Sequence, residues 1–207
     1  MFSADFRTLI LAVPAVLFAI SIHEFGHGLA ATWLGDPTPR VQGRLTLNPL
    51  AHLDIMGALM FILFRFGWAK PVMVNPYNLR PGPKKGMLLV GIAGPAANFI
   101  TAWVCTLLWR HWPTMLFPFN VSMVAVTFLQ INVIYNLSLA AFNLIPIPPL
   151  DGSKSLFGFL PRRFYPVAVW LEQYGFFVLL LLLVTGMVGR LFLPIVSLLQ
   201  RLLFYLT

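Results

Sequence analysis

The sequence predicts an all-α polytopic membrane protein with about five transmembrane helices. Hydrophobic residues make up 59% of its 207 residues and charged residues only 10%, whereas an ordinary soluble domain carries about 25% charged residues. The mean hydropathy is +0.84, and five stretches approach the roughly 20 apolar residues that a helix needs to cross a bilayer. These observations exclude an ordinary cytosolic enzyme, a disordered tail and a nucleic-acid-binding domain.

The five candidate spans are 9–34, 86–109, 121–145, 165–187 and 191–206. The last is the shortest, and its length leaves open whether it crosses the membrane completely. We expect all 207 residues to form one membrane-embedded domain, with the lipid bilayer as its surroundings. The sequence contains one cysteine, Cys105, so no disulfide can form within the chain.

The region between the first two spans predicts irregular structure, because seven prolines interrupt residues 35–85. Apolar residues alternate along 40–47, which predicts a short membrane-associated β-hairpin. The apolar stretch 53–66 is only about a dozen residues long, a length that suits a re-entrant segment better than a span. The alternative, that this stretch does span, stays open.

The basic residues indicate which face of the membrane each loop occupies. The chain has 14 Lys and Arg against 6 Asp and Glu, a formal net charge of +8. If 53–66 does not span, eleven basic residues share one face: Arg40, Arg44, Arg65, Lys70, Arg80, Lys84, Lys85, Lys154, Arg162, Arg163 and Arg201. The other three, Arg7, Arg110 and Arg190, share the opposite face. Cytoplasmic loops carry the excess of Lys and Arg, so this count favours an amino terminus outside.

Within the first span stands the motif His23-Glu24-Phe25-Gly26-His27. Residues four apart share a helix face, so His23 and His27 can direct their imidazoles to one tetrahedral zinc ion. Glu24 lies beside them and can take a proton from the attacking water. With 4 His in the chain, the expected number of chance HExxH matches is on the order of 10⁻³. Ionisable residues in a span are costly, which also favours a functional site over a polar helix contact.

A catalytic zinc ion usually has three protein ligands, so a third is expected outside the motif. Asp151 ends the proline-rich run Asn-Leu-Ile-Pro-Ile-Pro-Pro-Leu-Asp, in which three prolines prevent a regular helix at membrane depth. The alternative is an ordinary Asp-Gly turn after a helix. His52 and Asp54 are further candidates, although interfacial anchoring of the short apolar segment explains them more simply. Asp36, in Gly-Asp-Pro, predicts a turn.

Taken together, these motifs resemble the site-2 protease family of intramembrane zinc metalloproteases. The resemblance rests on five blocks in family order: HEFGH at 23–27, GRLTLNPLAHLD at 43–54, WAKPVMVNP at 68–76, AGPAANF at 93–99 and NLIPIPPLDG at 143–152. It implies that His23, His27 and Asp151 bind one zinc ion per chain and that Glu24 is the general base. It also implies that Asn143 holds the substrate backbone near the metal.

The same resemblance implies a catalytic core of three spans, over about residues 8–152, with further helices over about 165–206. The expected form is a short one without a PDZ or CBS domain. The expected activity is hydrolysis of a peptide bond in or near the transmembrane helix of another protein. We expect an integral protein of the prokaryotic inner membrane whose zinc lies nearer the cytoplasmic face. The oligomeric state is not predicted.

A second class of function is a non-proteolytic metal-ion transporter or an inactive relative that acts as a scaffold. Histidines and acids inside the membrane would also suit a transport pathway. Transporters tend to consist of repeated halves, however, and the sequence shows no internal repeat. An inactive relative would be expected to lack Glu24 or a ligand, and all four residues are present.

Overall fold

The computed structural model describes residues 6–64, 69–112 and 119–207. Its α-helices are α1 (Phe6–Trp33), α2 (Thr38–Val41), α3 (Pro49–His52), α4 (Ile55–Phe64), α5 (Pro83–Arg110), α6 (Phe119–Asn143), α7 (Asp151–Phe159), α8 (Tyr165–Val184) and α9 (Val188–Tyr205). Two single turns of 3₁₀-helix lie at Pro76–Asn78 and Arg162–Phe164.

Five of these helices, namely α1, α5, α6, α8 and α9, are long and apolar enough to cross a membrane. The prediction of five spans is therefore confirmed by length and composition. Helices α1, α5 and α6 pack against one another, and α5 also packs against the short α7. That these three helices form the catalytic core, as the family resemblance implies, stays a prediction.

The predicted β-hairpin at 40–47 is wrong, because the part of the chain that the structure describes contains no strand. Pro39 instead lies in the first turn of α2, where its fixed φ angle and missing N–H are tolerated. Asn48 then caps α3 by accepting a hydrogen bond from the N–H of Leu50 at 3.1 Å. These local helix-start signals override the alternation of apolar residues. The region contains one isolated antiparallel bridge, between Leu53 and Ala69.

The predicted short apolar segment 53–66 contains α4, a helix of ten residues. Ten helical residues rise about 15 Å, half the thickness of the hydrocarbon core. Residues 65 and 66 of this segment, and the first residue of the 68–76 block, lie outside the described residues. A re-entrant path for the segment stays a prediction.

Asp36 connects the end of α1 to the chain that precedes α5. Its side chain is fully buried and accepts hydrogen bonds from the N–H and hydroxyl of Thr38, from the N–H of Asn75 and from the side-chain amide of Asn78. The carbonyl of Leu34 accepts a further bond from the N–H of Arg80 at 2.8 Å. The expected turn at Gly-Asp-Pro is thus also an anchor for residues 75–80.

The grouping of basic residues assumes that α9 ends beside the start of α5. In the structure, α9 ends beside the carboxyl end of α5. Lys84, at the start of α5, donates a hydrogen bond to the carbonyl of Leu160, whereas Arg110, at the end of α5, donates one to the hydroxyl of Thr207. Helices α5 and α9 therefore end on the same side, with Leu203 packed against Ala102. Exchanging Arg190 and Arg201 between the two groups leaves the totals of eleven and three unchanged. It also puts both ends of α8 at one end of the bundle, so α8 qualifies as a span by length and composition alone.

We expect the Asp36→Asn variant to be less stable, by about 1–3 kcal/mol, because an amide nitrogen would replace an oxygen that now accepts hydrogen bonds. Oδ1 accepts from three donors and Oδ2 from one, so either orientation of the amide leaves at least one donor unpaired. Burial raises the pKa of Asp36, but the hydrogen bonds from Thr38, Asn78 and Asn75 outweigh it and hold this pKa below its ordinary value. The charged carboxylate thus stabilises the fold above about pH 4, and this contribution is lost as the pH falls through the folded-state pKa.

The measurement is the thermal unfolding midpoint in detergent as a function of pH. The difference between the natural chain and Asp36→Asn should be largest near neutral pH and should narrow below about pH 4. A difference that does not change with pH would contradict the assignment of a charged Asp36.

Candidate active site

Two histidines of α1 and one aspartate of α7 meet in the interior of the bundle. The Nε2 atoms of His23 and His27 lie 3.1 Å apart, and each lies 2.9 Å from Oδ2 of Asp151. All three residues are buried, and together they form a group that could hold a metal ion. The structure thus brings together the three residues for which the sequence predicts zinc ligation.

Asp151 reaches this position because α7 begins there. The preceding Leu150 is extended, and Asp151 is the first residue of α7, where the partial positive charge of a helix amino terminus favours a carboxylate. Gly152 follows, and a side chain there would collide with the carbonyl oxygens of Leu144 and Ile145. In the Asp-Gly pair, Asp151 thus provides the carboxylate, and Gly152 provides the space for close packing of α7 against residues 144 and 145.

Helices α1 and α5 approach each other closely beside the histidines. A Cβ atom on Gly26 would lie 2.8 Å from the carbonyl oxygen of Ala93. A Cβ atom on Gly94 would lie 2.5 Å from Nε2 of His27 and 2.8 Å from Cε1 of His23. Small residues let helix backbones approach in this way. Gly94 leaves room for the two imidazoles.

Each histidine has an acceptor at its other ring nitrogen. The Nδ1 atom of His27 lies 2.7 Å from the carbonyl oxygen of Val90, and that of His23 lies 2.6 Å from Oδ1 of Asn98. A carbonyl oxygen can only accept, so we assign the proton to Nδ1 in both rings. This tautomer leaves the Nε2 lone pairs directed at Asp151, as metal-ligating histidines require.

The donor set fits a zinc ion. Two imidazole lone pairs and a carboxylate oxygen within 3.1 Å of one another repel unless a cation or protons lie among them. Ligand atoms that bind zinc tetrahedrally at about 2.0–2.1 Å lie roughly 3.3 Å apart, close to the observed separations. Two His and one Asp supply the nitrogen and oxygen ligands of a catalytic zinc site, with a fourth position left for water.

Two other groups surround this cluster. Lys154 donates a hydrogen bond at 2.8 Å to Oδ1 of Asp151, so one carboxylate oxygen pairs with the ammonium while the other faces the histidines. Its side chain is 40% exposed and reaches the site from the surface. Glu24 is half-buried, and its Oε2 accepts a hydrogen bond at 2.9 Å from the N–H of Val72. The non-helical chain at 69–75 therefore passes beside the predicted general base.

The remaining candidates lie apart from this group. Asn143 is the last residue of α6, and its side-chain amide donates to the carbonyl of Leu139 at 3.0 Å. His52 is buried, with Nε2 at 2.8 Å from the carbonyl oxygen of Thr46. Asp54 accepts a hydrogen bond from the N–H of Gly57 in the first turn of α4. The structure thus gives His52 and Asp54 local structural contacts, and interfacial anchoring of the short apolar segment stays a prediction.

Three contributors to the site went unassigned in the sequence. Asn98 lies within the AGPAANF block, and the cost of an amide inside a span was the signal that could have found it. Lys154 lies three residues after Asp151, a spacing that places both on one helix face. The carbonyl of Val90 belongs to the backbone, and no residue type could have indicated it.

We expect Gly94→Ala to abolish zinc binding, because the three atoms nearest to the added methyl group belong to the two histidine rings. The methyl group would displace these rings from their positions beside Asp151. Bound zinc per chain, measured in purified protein in detergent, should fall from about one to near zero. The matched control is Gly189→Ala in α9, where a Cβ atom would meet nothing within 4 Å. Full zinc in both variants would contradict this account.

Comparison with known proteins finds relatives along most of the chain. The family model described as Peptidase family M50 matches residues 118–185, which include Asp151. "Putative zinc metalloprotease YwhC" of Bacillus subtilis is 37% identical over 177 residues, covering 84% of this chain and 80% of its own. "Putative zinc metalloprotease Rip2" of Mycolicibacterium smegmatis is 30% identical over 194 residues, covering 90% and 71%.

A third relative, zinc metalloprotease MJ0392 of Methanocaldococcus jannaschii, is 30% identical over 160 residues, covering 76% of this chain and 37% of its own. No solved structure matches the chain. The identity and coverage of the first two relatives suffice to assign the family. The chain belongs to peptidase family M50, the site-2 protease family, and is a membrane-embedded zinc metalloprotease.

Proposed function

We propose that this metalloprotease hydrolyses a peptide bond in or next to a transmembrane helix of another membrane protein. The observation that carries the proposal is the depth of the histidines within α1, whose apolar part runs from Ile10 to Trp33. His23 and His27 lie 10 and 6 residues before Trp33, or about 15 and 9 Å along the helix axis. A site at this depth favours a substrate that already lies in the membrane.

In this proposal His23, His27 and Asp151 hold the zinc ion, each through the atom that faces the other two. When bound, the ion supplies Lewis-acid activation of water and of the scissile carbonyl. Lys154 neutralises the carboxylate oxygen of Asp151 that faces away from the histidines. The burial of these three residues limits competing water, which strengthens electrostatic interactions there.

Glu24 acts as the general base and then as the general acid. Its carboxylate takes a proton from the attacking water and passes that proton to the leaving nitrogen as the peptide bond breaks. The N–H of Val72 holds one carboxylate oxygen of Glu24 at 2.9 Å, which orients the side chain. The other oxygen is then the one that exchanges protons with water and substrate.

A helical substrate must unwind locally before its carbonyl can reach the site, and each broken backbone hydrogen bond is costly in a membrane. We propose that Asn143 offsets part of this cost by bonding to the opened backbone. Its position at the carboxyl end of α6, where the chain turns towards Asp151, supports this role.

The proposed location is a prokaryotic inner membrane, with the amino terminus outside and the site nearer the cytoplasm. Eleven of the fourteen basic residues lie at the end of the bundle that holds the start of α5, or in loops assigned to that end. The positive-inside rule makes that end cytoplasmic. The histidines also lie nearer the carboxyl end of α1, which connects to the same loops.

We expect Glu24→Gln to retain zinc and to lose cleavage of a co-reconstituted membrane substrate by at least about 10²-fold, because a neutral amide cannot accept the proton. His23→Ala and Asp151→Ala should lose zinc as well as activity. Zinc per chain and cleavage in proteoliposomes are measured for all three variants. Undiminished cleavage by Glu24→Gln would refute the mechanism, and zinc flux without proteolysis would favour the transporter alternative.

We expect Asn143→Ala to keep zinc and to lower kcat/KM about tenfold to a hundredfold, the cost of one hydrogen bond to the substrate backbone. The control is Thr127→Val, which removes an exposed hydroxyl of α6 that bonds only within its own helix, to the carbonyl of Met123. Initial rates at several substrate densities give kcat/KM. Equal values for Asn143→Ala and the natural chain would exclude a substrate-binding role for Asn143.

A further inference from the structure

Asn98 is a fully buried amide of α5 in direct contact with one of the two histidines. We propose that Asn98 is a positioning residue, which holds His23 in the tautomer and orientation that zinc binding requires. The proposal rests on the proposed function in one respect, namely that His23 is a zinc ligand. It adds a residue outside the ligand set on which metal affinity depends.

The contacts of Asn98 determine which of its side-chain atoms faces His23. Its Nδ2 lies 2.9 Å from the carbonyl oxygen of Ala19 and 2.8 Å from Oδ1 of Asn136. The carbonyl of Ala19 can only accept, so the NH₂ group of Asn98 must point towards it. Both hydrogens of this NH₂ group are then used. Oδ1 is the atom left for His23, 2.6 Å from Nδ1.

An acceptor at this position selects one tautomer of His23. Nδ1 must carry the proton in order to donate to Oδ1 of Asn98, so the lone pair is left on Nε2, the atom that faces Asp151. Without Oδ1, either ring nitrogen could carry the proton, and a ring protonated on Nε2 cannot bind the ion through that atom. The hydrogen bond also fixes the rotation of the ring.

The amide of Asn98 is itself held in place from α6. Asn136 is fully buried, and its Nδ2 donates at 2.9 Å to the carbonyl of Asn132 one turn earlier, so its Oδ1 remains directed at Asn98. No exposed surface lets water compete for these groups. The chain of contacts runs from α6 through Asn136 and Asn98 to His23 on α1.

The two histidines differ in this respect. His27 finds its acceptor in the backbone carbonyl of Val90, which no substitution removes, whereas His23 depends on a side chain. Asn98 is therefore the residue through which the tautomer of one histidine can be tested. A merely structural role would be to join α1, α5 and α6, and Asn136 would then matter about as much as Asn98.

The test compares zinc affinity across variants of the full chain in detergent, measured by competition with a chelator of known affinity. Asn98→Leu keeps the side-chain size and is apolar, which suits a membrane interior. It should raise the zinc Kd about 10–100-fold, the usual effect of removing the acceptor of a ligating histidine. Asn136→Leu leaves the bond between Asn98 and His23 in place and should raise Kd less.

Asn98→Asp keeps an acceptor towards His23 but turns its second oxygen towards the acceptors of Ala19 and Asn136. It should therefore lower the thermal unfolding midpoint more than Asn98→Leu while binding zinc more tightly than that variant. A structural role predicts that affinity and stability fall in the same order. Thr106→Val is the control, because Thr106 is a buried residue of α5 that bonds to its own helix at the carbonyl of Ala102.

A second measurement needs no variant. In zinc-free protein with ¹⁵N-labelled histidine, the spectrum should show the His23 proton on Nδ1, and its absence would overturn the proposal. An unchanged Kd for Asn98→Leu, or an equal rise for Thr106→Val, would also overturn it. If His23→Ala itself retains the natural Kd, the proposed ligand set fails instead, so the two failures are distinguishable.

Discussion

The interior of this bundle holds three ligand atoms whose mutual repulsion a cation or protons among them would relieve. Two imidazole nitrogens and a carboxylate oxygen lie within 3.1 Å of one another, in a bundle with few other charges. Such a group is costly in a low-dielectric interior unless a metal ion binds it. The ligands come from α1 and α7, which are separated by more than 120 residues in the chain. A zinc ion bound by these three residues would join α1 to α7, and its binding would then contribute to folding.

The membrane makes every polar group of this core informative. Water is scarce at this depth, so a buried amide must find its partner within the protein. Asn98 and Asn136 do so through each other, Ala19 and Asn132, and the remaining acceptor of Asn98 points to His23. The polar residues that composition makes rare are thus concentrated around one site. The surrounding apolar residues suit the chain to a membrane, and these few polar side chains form the candidate site.

Much of this could be predicted from the sequence because the strongest signals are local. The spans follow from apolar length, and the i,i+4 spacing of His23 and His27 follows from helix geometry. Asp151 could be proposed because prolines at 146, 148 and 149 interrupt helix at membrane depth. The resemblance to the family then selected Asp151 over His52 and Asp54, which the structure gives local capping and packing contacts.

What the sequence could not predict depends on contacts between distant segments. The alternation of apolar residues at 40–47 indicated a hairpin, but Pro39 and the Asn48 cap favour short helices. A hairpin also needs a neighbouring strand, and the described residues contain none. The direction of α9 depends on the packing of Leu203 against Ala102 and Leu137, which no pattern within residues 191–206 encodes. Val90 contributes a backbone carbonyl, for which any residue other than proline would look equivalent.

The same reasoning explains why three helices, rather than the HExxH helix alone, are needed for the site. Helix α1 presents both imidazoles, but α5 provides the acceptors at Val90 and Asn98 and the space at Gly94. Helix α6 orients Asn98 through Asn136 and ends where the chain turns towards Asp151. Helices α1, α5 and α6 thus bear on the spacing, the acceptors and the surroundings of the histidines, while α7 supplies Asp151. A motif in one helix becomes a metal centre only when the other two are packed against it.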